Sequence, residues 1–146
     1  MNFKLYKSHT DMPGEVKTEV IDFLHKHLDQ YRDNKEDIEK AIDFALGKSC
    51  DLGGFVLTGR EDGEMVGIVV VNRTGMEGYI PENILVYIAV DNKFRGKGYG
   101  KMLMKEAINS AEGNVALHVE PDNPARYLYE KLGFTSKYLE MRYVKS

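Results

Sequence analysis

A short turn between an apolar run and a helix-like stretch carries the residue types best suited to chemistry. It reads Arg95-Gly96-Lys97-Gly98-Tyr99-Gly100-Lys101 and follows the apolar residues 84–90. Glycines let backbone N–H groups converge on an anion, and the N-terminus of the following helix adds partial positive charge. Arg95, Lys97 and Lys101 add full charges. The pattern predicts a binding site for a pyrophosphate.

Two better-known phosphate motifs do not fit this turn. A P-loop has four residues between its first glycine and a Gly-Lys pair, which Ser or Thr follows. Here Met102 follows Gly100-Lys101, and no glycine stands at the required distance before them. A dinucleotide fingerprint reads Gly-x-Gly-x-x-Gly, whereas the turn reads Gly-x-Gly-x-Gly, and its strand is not expected to lie in a βαβ nucleotide unit. A plain strand-to-helix connection is the remaining alternative.

The elements that position the turn are indicated by hydrophobic periodicity. Apolar patterns predict strands near residues 3–5, 55–58, 65–71, 84–90 and 115–119, and one or two closing strands over residues 134–144. Helices are predicted from Pro13 to Leu28, from Asn34 to Gly47, from the glycine turn to Ala111 and from Asp122 to Leu132. The order β-α-α-β-β-β-α-β-α-β predicts an α+β fold with helices on the faces of a sheet.

Length and composition indicate one ordinary globular domain. The chain has 146 residues, of which 42% are hydrophobic and 29% charged, and a net charge of -3. This charge argues against a nucleic-acid partner that needs a broad basic face. Cys50 is the only cysteine, which excludes an internal disulfide and a cysteine-based metal cluster, and no metal site is predicted. No run suits a signal peptide or a membrane span, so we expect a cytoplasmic protein without a membrane partner.

Two segments together resemble the GNAT superfamily of N-acetyltransferases. Residues 90–100, a strand end followed by Arg-x-x-Gly-x-Gly, are similar to its acyl-CoA-binding segment. Residues 123–134, which end in Leu-Tyr-Glu-Lys-Leu-Gly-Phe, resemble its second signature. The resemblance implies one N-acetyltransferase domain over residues 1–146, with a mixed, mostly antiparallel central sheet and helices on both faces. It also implies transfer of an acetyl group from acetyl-CoA to a primary amine of a small molecule or protein.

The resemblance also implies which residues hold acetyl-CoA. The backbone at Ile88, Ala89 and Val90 would bond the pantetheine arm, where a free N–H also stabilises an oxyanion. The pyrophosphate would lie on the amides of Arg95, Gly96, Lys97, Gly98, Tyr99, Gly100 and Lys101. Asn123 takes the place of an asparagine that contacts the cofactor, although it stands two residues before Ala125 where many members have three. Helix capping is its alternative role.

Tyr129 matches the tyrosine that often serves the family as general acid toward the CoA sulfur. A phenol with a pKa of about 10 can protonate a thiolate whose conjugate acid has a pKa of about 8.5. Its alternative role is an aromatic packing residue with a satisfied hydroxyl. Tyr127 lies on a different helix face and is expected to be structural or exposed.

His118 is the predicted general base. It lies on the strand predicted over residues 117–119, where some relatives carry a glutamate base, and histidine accepts protons near neutral pH. The alternative is a histidine on a sheet face, packed beneath a helix. Glu82, at the start of the central strand, and Glu120 are further candidate bases.

Acidic residues crowd the connection between the first two helices and could attract a cationic amine acceptor. They are Asp29, Asp33, Glu36, Asp37, Glu39 and Asp43. An ordinary solvated helix face is the alternative explanation. Tyr31 and Tyr79 are expected to line the same mouth.

Other functions stay open from the sequence. The same fold could be a catalytically silent CoA-binding regulatory or partner-binding module. It could also transfer another acyl group, such as succinyl or propionyl. Residues 138–143 could pair with a second copy, which would give a homodimer.

Overall fold

The computed structural model describes residues 1–146 and arranges their strands in one five-stranded sheet. The elements are β1 (Asn2–Tyr6), α1 (Gly14–His27), α2 (Lys35–Ala45), β2 (Gly54–Glu61), β3 (Glu64–Arg73), β4 (Asn83–Val90), α3 (Tyr99–Ser110), β5 (Val115–Leu117) and α4 (Ala125–Lys131). Strands lie in the order β1-β2-β3-β4-β5; the first three pairs are antiparallel and the last is parallel. This confirms the predicted α+β fold with a mixed, mostly antiparallel sheet.

Helices cover both faces of the sheet, as predicted. Successive side chains of a strand point to opposite faces, so an unbroken apolar strand can fill two cores. Val56 and Ile68 pack with α1 and α2, whereas Leu57 and Val69 pack with α3 and α4. The central strands are therefore buried on both sides and give the site a rigid base.

Local signals in the sequence explain where several elements begin. The side-chain oxygen of Asn34 accepts a hydrogen bond from the N–H of Asp37 at 2.8 Å, which caps α2 as predicted. Asp62 and Gly63 both adopt positive φ, which joins β2 to β3 in a tight hairpin. None of the helices combines the length and the apolar character needed to cross a membrane.

The closing strands predicted over residues 134–144 are wrong. The chain forms no strand after α4, and Leu139, Met141 and Tyr143 are almost fully exposed. Alternating apolar residues form a strand only where another strand bonds them and a core covers one face. In this chain β5 is three residues long and ends at Leu117 rather than Val119, so it presents a short edge for such pairing.

The expectation that β4 stands outside a βαβ unit is also wrong. β4, α3 and β5 form such a unit, with Asn83 paired to Val115 and Leu85 to Leu117 in parallel. The sequence of the short strand β5 does not indicate whether it pairs with β4 in a parallel or an antiparallel direction. The spacing of the glycines still separates the turn from a dinucleotide fingerprint.

Candidate active site

β4 separates from β5 before it reaches the glycine turn. The two strands pair only as far as Leu85 and Leu117, whereas β4 continues beside β3 to Val90. The register of the β3–β4 ladder shifts at Val70 and Val71, opposite the extra residue Val86. The last part of β4 therefore has one edge without a neighbouring strand.

The hydrogen-bond pattern shows which backbone groups face this open edge. The N–H of Asp91 donates to the carbonyl of Val66 at 2.9 Å, so these two residues form a hydrogen-bonded pair. Such pairs alternate along an antiparallel ladder, which places the backbone bonds of Ala89 inside the sheet as well. The N–H and C=O groups of Ile88 and Val90 point away from β3. Of the three residues predicted to bond pantetheine, Ile88 and Val90 direct their backbone groups toward the open edge and Ala89 does not.

The glycine turn presents a set of unpaired N–H groups next to this edge. Gly96 and Gly98 have φ of 77° and 86°, values that favour glycine, and Gly98 directly precedes α3. The N–H groups of residues 96–101 donate no hydrogen bond within the protein. A Cβ atom added at Gly96 or Gly98 would meet no atom within 4 Å. The N–H groups therefore line an open surface suited to an anion.

Gly100 has a different role from the two glycines before it. A Cβ added there would lie 3.3 Å from the Cδ2 atom of Leu128 and 3.9 Å from the Cγ2 atom of Val90. The absence of a side chain thus allows α3, α4 and the end of β4 to approach one another.

The three cations of the turn differ in their partners. The Nη2 atom of Arg95 donates to the carbonyl of His27 at 2.8 Å, and its Nε atom donates to the carbonyl of Val90 at 3.2 Å. Lys97 is exposed with its Nζ atom 5.8 Å from the centre of the Phe94 ring, and Lys101 is exposed as well. The guanidinium is bound to the protein itself, whereas both ammonium groups are open to a ligand.

His27, which sequence reasoning did not select, lies beneath the turn. It is 6% exposed, packs against the Phe23 ring at a tilt of 50° and places its Nε2 atom 3.5 Å from the Oδ2 atom of Asp91. Burial lowers the pKa of His27, and the neighbouring Asp91 opposes this shift only in part. The imidazole is thus neutral at neutral pH. Its spacing from Val20 and Leu24 places it on the buried face of α1. This spacing was the one feature of the sequence that could have indicated a buried histidine.

Tyr129 is held by α4 in a buried core cluster, against which the partly buried Ile88 and Val90 pack. Its side chain is 8% exposed, and its ring centre lies 6.1 Å from that of Phe134. The hydroxyl makes no hydrogen bond within the protein, which argues against a packing residue with a satisfied hydroxyl. Burial raises the pKa of Tyr129 to about 12. The phenol therefore stays protonated at neutral pH, and burial also makes it a weaker acid than an exposed tyrosine.

Two neighbours of Tyr129 have simpler surroundings. The Oδ1 atom of Asn123 accepts a hydrogen bond from the N–H of Ala125 at 2.9 Å, so this residue caps α4. Its amide nitrogen makes no bond and can still donate to a ligand. Tyr127 is largely exposed on the same helix, in agreement with the prediction.

The candidate bases are not equivalent in the structure. His118 lies one residue beyond β5, exposed and without a hydrogen bond or an ion pair, so it is not packed beneath a helix. Glu120 is exposed a short distance further along the same loop.

Glu82 lies at the opposite end of β4 from the turn, a separation of roughly 25 Å along an eight-residue strand. Its carboxylate accepts hydrogen bonds from the N–H groups of Gly78 at 3.1 Å and Asn114 at 2.7 Å. These bonds lower the pKa of Glu82 and make it a weak base. Tyr79 is exposed in the loop before Glu82, whereas the hydroxyl of Tyr31 donates to the carbonyl of Asp122 at 3.4 Å.

A family comparison agrees with this geometry. The sequence model of the acetyltransferase (GNAT) family matches residues 20–134. The chain belongs to this family. The N-alpha-acetyltransferase RimI of Mycobacterium tuberculosis is 33% identical to this GNAT chain over 88 residues, which are 59% of the chain and 55% of that protein. The match thus spans about half the length of this curated relative.

Solved structures show the GNAT fold over nearly the whole chain. A ribosomal-protein-alanine N-acetyltransferase from Brucella melitensis biovar Abortus 2308 superimposes with a TM-score of 0.68 at 20% identity, and covers 99% of this chain and 100% of its own. An aminoglycoside antibiotic 6'-N-acetyltransferase from Acinetobacter haemolyticus gives a TM-score of 0.70 at 17% identity, with 100% and 99% covered. At these identities the similarity establishes the fold alone.

In this GNAT chain, three of the six acidic residues predicted near the connection between α1 and α2 bond to a neighbouring element. Glu39 and Asp43 form ion pairs with Lys17 at 3.2 Å and 2.7 Å, so they stabilise the packing of the two helices. Asp33 accepts a hydrogen bond from the hydroxyl of Tyr87 at 2.5 Å, and burial together with this carboxylate raises the pKa of Tyr87. Asp33 therefore lies beside β4.

Proposed function

We propose that the protein is an acetyl-CoA-dependent N-acetyltransferase that moves an acetyl group to a primary amine of a small molecule or protein. The observation that carries the proposal is the row of six unpaired N–H groups at residues 96–101 beside the open edge of β4. Membership of the GNAT family supports it, and Tyr129 lies in the core cluster against that same edge.

The proposed cofactor position follows from these groups. The pyrophosphate of acetyl-CoA lies on the N–H groups of residues 96–101, with Lys97 and Lys101 supplying charge. The pantetheine arm runs along the backbone groups of Ile88 and the N–H of Val90 as an added strand would. The amide nitrogen of Asn123 donates to the same ligand.

The proposed reaction is direct transfer. The neutral amine attacks the thioester carbonyl, and a backbone N–H of β4 stabilises the negative charge that develops on its oxygen. As the carbon–sulfur bond breaks, Tyr129 donates its proton to the sulfur and is reprotonated from solvent. His118 accepts the proton that the amine loses, directly or through water.

The role of His118 gives the first testable prediction. We expect His118→Ala to lower kcat/KM for the amine by about a hundredfold, because a general base contributes at least that factor. His9→Ala, at another exposed histidine far from β5, is the matched control. An unchanged kcat/KM in His118→Ala would assign the base to another group.

The proposed function is tested by incubating the protein with acetyl-CoA and a panel of amines. Similar proteins are named for acetylating ribosomal-protein alanine and aminoglycosides, so the panel contains peptides with free N-termini and amino sugars. Thiol release that depends on an amine and matches its gain of an acetyl group is the expected result. Acetyl-CoA binding without acetylation of any amine would favour the silent CoA-binding module. Parallel reactions with succinyl-CoA and propionyl-CoA determine the acyl group.

We also propose that the exposed tail pairs with a second copy. In an extended chain Leu139, Met141 and Tyr143 share one side, while Glu140 and Arg142 form an ion pair on the other. This alternation is typical of a strand with one buried face, and the outer edge of β5 has no partner.

The homodimer is tested by light scattering after gel filtration. The wild-type protein should have the mass of a dimer, and Met141→Glu should have that of a monomer, because a charge replaces a buried apolar contact. Lys145→Glu introduces the same side chain outside the alternating segment and should stay dimeric. A monomeric wild-type protein would contradict the proposal.

We further propose that residues 1–146 form a single N-acetyltransferase domain and that the protein acts in the cytoplasm. All five strands belong to one sheet, which supports a single domain.

A further inference from the structure

We propose that Arg95 is a positioning residue that holds the end of β4 and the end of α1 around the cofactor turn, and that it does not bind the pyrophosphate through its guanidinium. The inference rests on the proposed function, because it concerns how the same turn is held in place for acetyl-CoA. It assigns to Arg95 a different task from that of Lys97 and Lys101, the other two cations of the turn.

The two acceptors of Arg95 are carbonyls that the secondary structure leaves without partners. His27 is the last residue of α1, and the carbonyls of the last turn of a helix have no partner within the helix. Val90 is the last residue of β4, and its carbonyl points toward the edge that has no neighbouring strand. A guanidinium can donate to both in a fixed plane, and its charge is favourable at the C-terminus of a helix.

The segment between Val90 and Arg95 is held in place by Asp91. Its N–H donates to Val66 of β3, and its Oδ1 atom accepts from the N–H of Lys93 at 3.0 Å. Its other oxygen faces the imidazole of His27. The backbone that leads from β4 to Arg95 is thus tied to both β3 and α1. At the other end of this segment, the guanidinium of Arg95 donates back to the carbonyls of Val90 and His27.

This arrangement has a consequence for the substrate. Because Arg95 occupies the carbonyl of Val90, the open edge of β4 offers pantetheine the N–H of Val90 and both backbone groups of Ile88. Loss of the guanidinium would free the carbonyl and loosen the turn that follows it. Both the phosphate end and the pantetheine end of the cofactor site should then be affected.

The test compares Arg95→Lys, which keeps the positive charge, with Lys97→Ala. Lysine has no planar fork and cannot hold both carbonyls, so we expect Arg95→Lys to weaken acetyl-CoA binding by about tenfold without changing its salt dependence. Lys97→Ala should weaken binding and reduce the salt dependence, as a lost phosphate contact does. Wild-type affinity in Arg95→Lys together with weak binding in Arg95→Ala would overturn the proposal, because charge alone would then suffice.

A substrate without phosphate sharpens the comparison. Acetyl-pantetheine lacks the pyrophosphate but uses the same edge of β4. We expect Arg95→Lys to lower kcat/KM for acetyl-pantetheine by about the same factor as for acetyl-CoA, because the defect lies in the position of the backbone. A loss confined to acetyl-CoA would identify Arg95 as a phosphate ligand and overturn the positioning role.

A measurement on the cofactor-free protein separates this proposal from the proposed function. The Nε–H signal of Arg95, identified in an NMR spectrum by its absence in Arg95→Lys, should exchange slowly with solvent because it donates to Val90. Fast exchange would overturn the positioning role, even in a protein that binds acetyl-CoA. Slow exchange in a protein that fails to bind acetyl-CoA would support the positioning of the turn while the proposed function fails.

Discussion

Replacement of Tyr129 by phenylalanine should lower kcat by about a hundredfold, the lower end of the range for a general acid. The ring packs in an apolar cluster and its hydroxyl has no partner in the protein, so the variant keeps the packing and removes no internal hydrogen bond. Stability and the affinity for acetyl-CoA should therefore be unchanged. Steady-state kinetics, thermal unfolding and calorimetric binding of CoA measure the three quantities.

Tyr127→Phe is the matched control, because Tyr127 lies on the same helix and is largely exposed. It should behave as the wild-type enzyme. The pH dependence provides a second check on Tyr129. A general acid loses activity as pH rises through its pKa, and burial raises the pKa of Tyr129 to about 12, so its titration should not reduce kcat in the ordinary assay range. Full activity of Tyr129→Phe would contradict the assignment and favour the silent module.

Replacement of Gly98 by valine should weaken CoA binding by about 10- to 100-fold, the equivalent of one hydrogen bond to a charged group. In the free protein an added side chain at this position meets no atom within 4 Å, so it collides with nothing. It would instead occupy the space above the N–H groups where the pyrophosphate is proposed to lie. Calorimetric titration with CoA measures the effect.

Valine at position 98 would also strain the backbone, because Gly98 has a positive φ. Gly63→Val introduces the same kind of strain at a distant position. Gly63 has a φ of 81° against 86° at Gly98, and a Cβ there also meets nothing within 4 Å. It lies in the β2–β3 hairpin, so its variant should lose similar stability and bind CoA normally. If CoA affinity survives in Gly98→Val, the close approach of backbone and phosphate is wrong.

The parts of the site that are local in sequence were predictable, because their signals lie within one turn or one helix. Gly96 and Gly98 predicted the positive φ values of the turn, and Asn34 predicted a cap that the structure shows. Tyr129 was chosen from a motif, and periodicity alone would place it on a buried helix face without a reason to select it.

The parts that depend on distant residues were not predictable from local patterns. The bond from Arg95 to the carbonyl of His27 joins residues that are 68 positions apart, and nothing in either segment announces the other. The same reason explains the error in the tail. An alternating segment such as residues 138–144 predicts a strand, but a strand forms only where a second strand is available to pair with it. That second strand is distant in the sequence, so the local pattern does not indicate whether it is present.

The most direct test of the central claim is a crystal structure of the protein with CoA bound. We expect the diphosphate oxygens within hydrogen-bond distance of the N–H groups of residues 96–101, the pantetheine along Ile88 and Val90, and the sulfur within reach of the Tyr129 hydroxyl. A diphosphate bound away from the glycine turn, or a sulfur beyond reach of Tyr129, would contradict the account.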